Sequence, residues 1–211
     1  MNIIGISGLH NSIAYRKKRF PNLLPRQYRI VFGHDSAAAL VTRDGILAAA
    51  AEERFSREKG TDSFPVNAIS YCLRSAVMKP EDIDYLAHGW SFEPYRSFHE
   101  QRGDLAMEQF EAVFSREAQT RWIQEHFPAW DWADKLIQVP HHLAHAASAY
   151  YVSGFNESLI VIADGMGEQH STTIAVGEGN KIKVIRQVPA LHSLGILYGV
   201  FTLYLGFEFN F

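Results

Sequence analysis

The stretch "HDSAAALVTRDGILAAAAEERFSREKG", residues 34–60, decides how the rest of the chain is read. Asp44-Gly45 is a hairpin-closing dipeptide, because glycine takes the positive φ that tight turns require, and an apolar run lies on each side of it. The segment predicts strand, turn, strand. Both runs are almost wholly small and apolar, which predicts strands covered on both faces by other layers rather than a lone exposed hairpin. Upstream, "NIIGI" (2–6) is a short apolar run bounded by Ser-Gly and reads as a buried strand. Downstream, Phe64-Pro65 opens a helix to about Met78, Lys79-Pro80-Glu81 makes a turn, and "IDYLAHGW" (83–90) reads as a strand.

Farther along, Leu105, Phe110, Val113, Phe114, Trp122 and Ile123 recur at helical spacing, predicting a surface helix over about 104–127, or two with a kink. "KLIQVP" (135–140) reads as a strand and "VPHHLAHAASAYYVSGF" (139–155) as a helix. "SLIVIADGMGE" (158–168) is an apolar strand running into a glycine-punctuated acidic turn. "STTIAVGEGNKIKVIRQV" (171–188) is a hairpin with Gly179-Asn180 at its tip, and "SLGILYGVFTLYLGF" (193–207) is an apolar helix. This order predicts an α/β fold, a mixed sheet flanked by helices, in which a hairpin-led unit starts twice. The first unit is expected over 1–138, with an insertion at about 9–30, and the second over 139–211. That second unit lacks closing elements, and the uncapped apolar end "YLGFEFNF" reads as a fragment of a longer polypeptide.

Composition narrows the classes. At 47% apolar and 20% charged, the 211 residues are ordinary for a globular protein. A net charge of -3 gives no whole-molecule field to recruit nucleic acid or an anionic bilayer. No segment approaches the roughly 20 apolar residues of a membrane span, and the N-terminus has no signal-peptide form. The single cysteine, Cys72, excludes an internal disulfide framework and fits a reducing cytoplasm. Its spacing from Ile69, Leu73, Ala76 and Val77 puts it on a core helix face. In "LHNSIAYRKKRFPNLLPRQYRI" (9–30), Arg16, Lys17, Lys18, Arg19, Arg26 and Arg29 occur without an acid, and Pro21 and Pro25 argue against a helix. The segment reads as a solvated basic loop or as contacts to a phosphorylated ligand.

Three constellations can carry chemistry. On a helix, His141 and His145 stack one turn apart and can present two imidazoles to one ion. His142 points about 100° away and is a poorer ligand, suited to supporting the site or contacting a ligand. The third metal ligand needed is best supplied by Asp164, at the C-terminal tip of an apolar strand, with Gly165 and Gly167 allowing close approach of a phosphate or adenosine. Paired helical histidines also simply cap or pack, and Asp-Gly is first of all a turn. The residue after His141 is not the glutamate that a metalloprotease helix carries there. "GHDSA" (33–37) offers His34, Asp35 and Ser36 for phosphate binding or general-base work, or forms an Asx-type turn. "EERFSREKG" (52–60) is a solvated edge or a set of substrate-orienting charges.

Taken in this order, "GHDSAAALVTRDGILAAAAEERFSREK" with Phe64-Pro65, "HHLAHAASAYYVSGF" and "IADGMGE" resemble the O-carbamoyltransferases of nodulation-factor and antibiotic tailoring, of the nodulation-protein-U and cephamycin type. The resemblance spans about Gly33 to Phe211. It implies a ribonuclease H-like fold of the actin, sugar-kinase and heat-shock-chaperone superfamily, and a cytoplasmic biosynthetic enzyme. By that resemblance a later adenylate-forming domain makes carbamoyl-adenylate from carbamoyl phosphate and ATP; magnesium is a further candidate cofactor. The present domain passes the carbamoyl group to a hydroxyl of a small-molecule acceptor. Iron, or another divalent metal, falls to His141, His145 and Asp164, while a further aspartate of the family lies outside these residues. His34 corresponds to a base and Asp35 to an acceptor or carbamoyl contact. Gly165, Gly167, Glu168 and His142 fall at the nucleotide or ligand. The basic insertion departs from the family pattern. The competing readings are a sugar-kinase-like phosphotransferase, which needs magnesium rather than an imidazole pair, and a non-catalytic nucleotide- or partner-binding module.

Overall fold

The chain opens on β1 (Ile3–Ser7), α1 (Ser12–Arg19) and α2 (Pro25–Tyr28), and then enters the hairpin of β2 (Ala37–Thr42) and β3 (Gly45–Ala51). Asp44 closes the turn and Gly45 takes φ +111°. There follow α3 (Glu53–Ser56), α4 (Val66–Ser75), β4 (Tyr85–His88), α5 (Arg96–Gln101), α6 (Asp104–Gln109), a π-helical turn (Phe110–Phe114), α7 (Arg116–His126) and β5 (Leu136–Gln138). This computed structural model describes residues 1–28, 33–132 and 134–207, and they fall into two units, Met1–Gln138 and Val139–Phe211. Arg29 and Ile30 of the basic segment and the last four residues of the apolar end lie outside the described residues.

In the first unit the strand order is β3-β2-β1-β4-β5, with β1, β2 and β3 antiparallel and β4 and β5 added in parallel. The register places Ile4 beside Leu40 and Leu86, Ile6 beside Ala38 and His88, and Leu86 beside Leu136. Side chains alternate along a strand, so these residues share one face. That face is buried against Ala68, Ile69, Cys72 and Leu73 of α4 and Ala118, Trp122 and Ile123 of α7. The opposite face carries Val41, Tyr85 and Ile137, all more than a third exposed, and β3 is a largely exposed edge strand. The expectation of two covered faces therefore fails within this unit. Alanine fits either face, so an alanine-rich strand carries little orientation signal.

One further expectation is corrected and another is met. The basic segment is not a loop throughout: α1 ends before Pro21, turns Ser12 and Tyr15 inward, and gathers Arg16, Lys17, Lys18 and Arg19 in its last turn. Positive charge suits a helix C-terminus. Tyr15 joins Leu9, Trp90, Phe92, Phe110, Val113 and Phe114 in a second apolar cluster. The 104–127 segment breaks at Ser115, whose hydroxyl accepts from Ala118 N at 3.0 Å and caps α7. The segment is thus two helices with a break, the second of the two expected forms; Phe110, Val113, Phe114, Trp122 and Ile123 of its apolar stripe are buried, whereas Leu105 is exposed. Cys72 is fully buried, as its spacing predicts, and burial pushes its thiol pKa up.

The second unit begins with α8 (His141–Tyr150) and continues through β6 (Glu157–Ala163), β7 (His170–Glu178), β8 (Lys181–Pro189) and α9 (Leu194–Tyr204). The strands form an antiparallel meander, turning between β7 and β8 at Gly179-Asn180 with Gly179 at φ +56°. Ala146 and Tyr150 of α8 pack on Ile160, Ile162 and Ala175. A Cβ at Gly177 would overlap the Tyr150 ring at 2.5–2.6 Å, so β7 needs glycine where the ring lies on it. The Tyr150 hydroxyl donates to the Asn156 carbonyl at 2.8 Å. No helix among the described residues is long and apolar enough to cross a membrane.

Candidate metal centre

Pro140 precedes the first turn of α8, where its missing N–H costs nothing. The cap is supplied from outside the helix: Glu168 Oε1 accepts from His141 N at 2.9 Å, an acid placed at the positive end of the helix dipole. One turn of helix then brings His145 Nε2 to 3.0 Å from His141 Nε2. Asp164, just past the end of β6, sets Oδ2 at 3.5 Å from His141 Nε2 and 3.9 Å from His145 Nε2. Ligand atoms sharing a tetrahedral ion at bond lengths of about 2 Å stand roughly 3.3 Å apart. The three observed edges bracket that value, and among the described residues these three side chains form a group able to hold one metal ion.

The donor chemistry also fits. Two neutral imidazoles and one carboxylate make a borderline set suited to iron or zinc rather than to magnesium. Asp164 Oδ1 is buried and makes no aligned hydrogen bond, so the carboxylate keeps unfilled acceptor capacity. His145 is about half exposed, and a cavity of about 270 Å³ lies beside it, lined by Ser148, Ala149, Ile160, Val161, Ile162, Ala163 and Asp164. The centre is thus open on one side.

Around this trio the remaining candidates do different things. His142 is 5% exposed, with Nδ1 2.7 Å from Thr173 Oγ1 and Nε2 3.1 Å from Asp164 Oδ1. A Cβ at Gly167 would press on the His142 ring at 3.0 Å, and Gly167 N donates to the His170 carbonyl at 2.7 Å. Burial, with His142 nearby, pushes the His170 pKa down. Glu168 caps α8 as described above. Nothing lies within 4 Å of a Cβ built at Gly165, so that position is open. Two residues that sequence reasoning missed hold the Asp164 turn. Ser193 donates to the Gly165 carbonyl at 2.6 Å and caps α9 at Ile196 N, and a Cβ at Gly195 would meet the Asp164 carbonyl at 2.5 Å. A serine immediately before an apolar helical run was the available signal for the cap.

His34 and Asp35 belong to the first unit, at the head of β2. The His34 ring contacts the Asp35 carboxylate, and Asp35 holds φ +63° with its carbonyl accepting from Ser7 Oγ at 3.1 Å. The pair is solvent-accessible, Asp35 strongly so. Within "EERFSREKG" the exposed charges are Arg54, Arg57, Glu58 and Lys59, whereas Glu52 is 2% exposed. Its oxygens accept from Asn67 Nδ2 at 2.6 Å, Asn67 N at 3.4 Å and Ala68 N at 2.9 Å, capping α4. Glu52 is therefore neither a solvated edge nor a substrate contact.

A family model described as "Carbamoyltransferase N-terminus" matches residues 29–211. The chain belongs to the carbamoyltransferase family. Among curated proteins, this family member is 35% identical to the uncharacterized protein sll1178 of Synechocystis sp., over 84% of this chain and 31% of that protein. It is 33% identical to nodulation protein NolNO of Sinorhizobium fredii, over 98% of this chain and 29% of NolNO. Nodulation protein NolO of Bradyrhizobium diazoefficiens is 42% identical over 31% of this chain. The chain spans about a third of the length of the first two relatives.

Proposed function

We propose that this chain is the N-terminal part of the transfer domain of an O-carbamoyltransferase, acting on carbamoyl-adenylate and a hydroxyl-bearing small molecule of natural-product or glycan tailoring. The acceptor oxygen attacks the carbamoyl carbon, the bond from that carbon to the phosphate oxygen breaks, AMP leaves, and the hydroxyl proton passes to a base. His34 is the candidate base, with the Asp35 carboxylate against its ring orienting it. His141, His145 and Asp164 would hold a divalent cation, iron foremost, and when bound that ion supplies positive charge to offset the leaving phosphate. Gly165, with open space in front of it, suits close approach of the nucleotide. Gly167 and Glu168 shape the same turn by accommodating His142 and capping α8. The adenylate-forming partner domain belongs to the remainder of the longer relatives in this reading. A ribonuclease H-like fold is the matching assignment, supported by the antiparallel β-meander that each unit contains: β1-β2-β3 and then β6-β7-β8.

The observation that carries this reading is the convergence of two imidazoles and one carboxylate in a chain of this family. The test is metal analysis of the purified chain beside the His141→Ala/His145→Ala double variant. Wild-type protein is expected to retain close to one iron or zinc per chain, and the folded double variant to lose it. Equal metal content in both would remove the site.

A further inference from the structure

The metal reading leaves unexplained why a third histidine, between the two proposed ligands, is buried. His142 sits inside the second unit at 5% exposure, far more enclosed than His145. Its ring lies between two polar groups. Nδ1 is 2.7 Å from the Thr173 hydroxyl on β7, and Nε2 is 3.1 Å from Asp164 Oδ1. Behind Thr173, Gln187 Nε2 on β8 donates to Thr173 Oγ1 at 3.5 Å. Glycine at 167 leaves room for the ring, since a Cβ there would stand 3.0 Å from its Cδ2.

The carboxylate fixes the imidazole. An ionised carboxylate only accepts, so Nε2, which faces Asp164 Oδ1 at 3.1 Å, carries the ring proton. Nδ1 of the neutral ring is then an acceptor, and the Thr173 hydroxyl donates to it across 2.7 Å. Nε2 and Oδ1 are both buried and make no aligned hydrogen bond, although each is the other's polar neighbour at 3.1 Å. The other oxygen, Oδ2, faces the His141 and His145 Nε2 atoms at 3.5 and 3.9 Å.

We propose that His142 is a positioning residue: held as the Nε2–H tautomer by Thr173, it orients the Asp164 carboxylate so that one oxygen remains available to the cation. The inference rests on the metal reading above. It differs from a ligand or nucleotide contact because the ring touches the carboxylate instead of the open side of the site. Groups that hydrogen-bond a metal-ligating carboxylate characteristically tune affinity by about 10–100-fold when removed.

The test is titration of the metal-free full chain with Co²⁺, reading affinity and the visible absorption of the bound ion. The variants are Thr173→Val, Thr173→Ser, His142→Ala and His141→Ala. Thr173→Val keeps shape and apolar packing but removes the hydroxyl, so it probes the tautomer even if His142→Ala fails to fold. Expected are a 10–100-fold loss of affinity and an altered spectrum in Thr173→Val and His142→Ala, near-complete recovery in Thr173→Ser, and no specific binding in His141→Ala. Wild-type affinity and spectrum in both Thr173→Val and His142→Ala would overturn the positioning role while leaving the metal site standing. Complete loss in His142→Ala with unchanged binding in Thr173→Val would make His142 a ligand and overturn it as well. Absence of Co²⁺ binding by the wild type would bring down the metal reading itself and the inference with it.

Discussion

In the first unit Glu52 is nearly sealed from solvent, with three N–H groups of Asn67 and Ala68 directed at its two oxygens. In the second, Asp164 lies at a strand tip with one oxygen buried and unbonded and the other facing two imidazoles. Both carboxylates are polar groups drawn in from water, yet one has its acceptor capacity filled and the other does not. A filled acid holds a helix in place; an acid with spare lone pairs beside nitrogen donors is a place for something to bind. The same contrast separates the histidines. His88 directs Nε2 at the Gly8 carbonyl, 2.8 Å away, whereas His145 Nε2 lies 3.0 Å from the Nε2 of another imidazole.

The largest effect that can break this comparison is on stability. Glu52→Ala strands the N–H groups at the start of α4 and is expected to lower unfolding free energy by about 2–3 kcal/mol. Asp164→Asn keeps the shape of a side chain that caps no helix, and its expected effect there is within about 1 kcal/mol of zero. Urea unfolding of the two variants without metal measures both, and equal losses would erase the distinction between a filled and an unfilled acid.

A smaller effect is expected with pH. Burial pushes the His88 pKa below its ordinary value of 6.5. The unfolded chain therefore takes up this proton first as pH falls, so the stability from neutral His88 is fully present above about 6.5 and declines below it. The slope from one such group is at most about 1.4 kcal/mol per pH unit. His10 is lowered in the same direction by burial and adds to the slope. Urea midpoints at pH 7.5, 6.5 and 5.5 should fall in that order, and His88→Asn should flatten the series.

The smallest effect sharpens the comparison of the sheets. β1 is flanked by β2 and β4, while among the described residues β6 has only β7 beside it, and Leu159 and Val161 on β6 are 66% and 62% exposed. Replacing either by threonine is expected to change stability by no more than about 0.5 kcal/mol. A loss comparable to that from a buried strand residue would mean that this face is covered in solution.

Much of this was legible in the residues. Asp44-Gly45 and Gly179-Asn180 mark turns by backbone chemistry alone, and the i, i+4 spacing of His141 and His145 fixes which rings can meet. Asp164 could be paired with them because an acid after an apolar run projects from a strand end. Glu52 could not be read this way. It sits in a run of charges, and only the return of α4 to its position shows that it is a cap. Likewise Thr173 lies in a strand whose serine and threonines give no sign of which hydroxyl faces a histidine. The α1 helix was obscured by Pro21 and Pro25, which bound it from outside without interrupting it.

Gly177 matters for a reason that reaches the other end of α8. With the Tyr150 ring pressed on bare backbone there and Glu168 gripping the first turn, the helix is clamped to its own unit at both extremities. The gap between its imidazoles and the β6 carboxylate then behaves as a gauge of preset width. Were the trio to hold an ion as proposed, a guest with bonds near 2.4 Å, such as Ca²⁺, would have to widen the 3.0 Å separation of the imidazole nitrogens against both clamps, and the packing of Tyr150 would then bear on which ion enters.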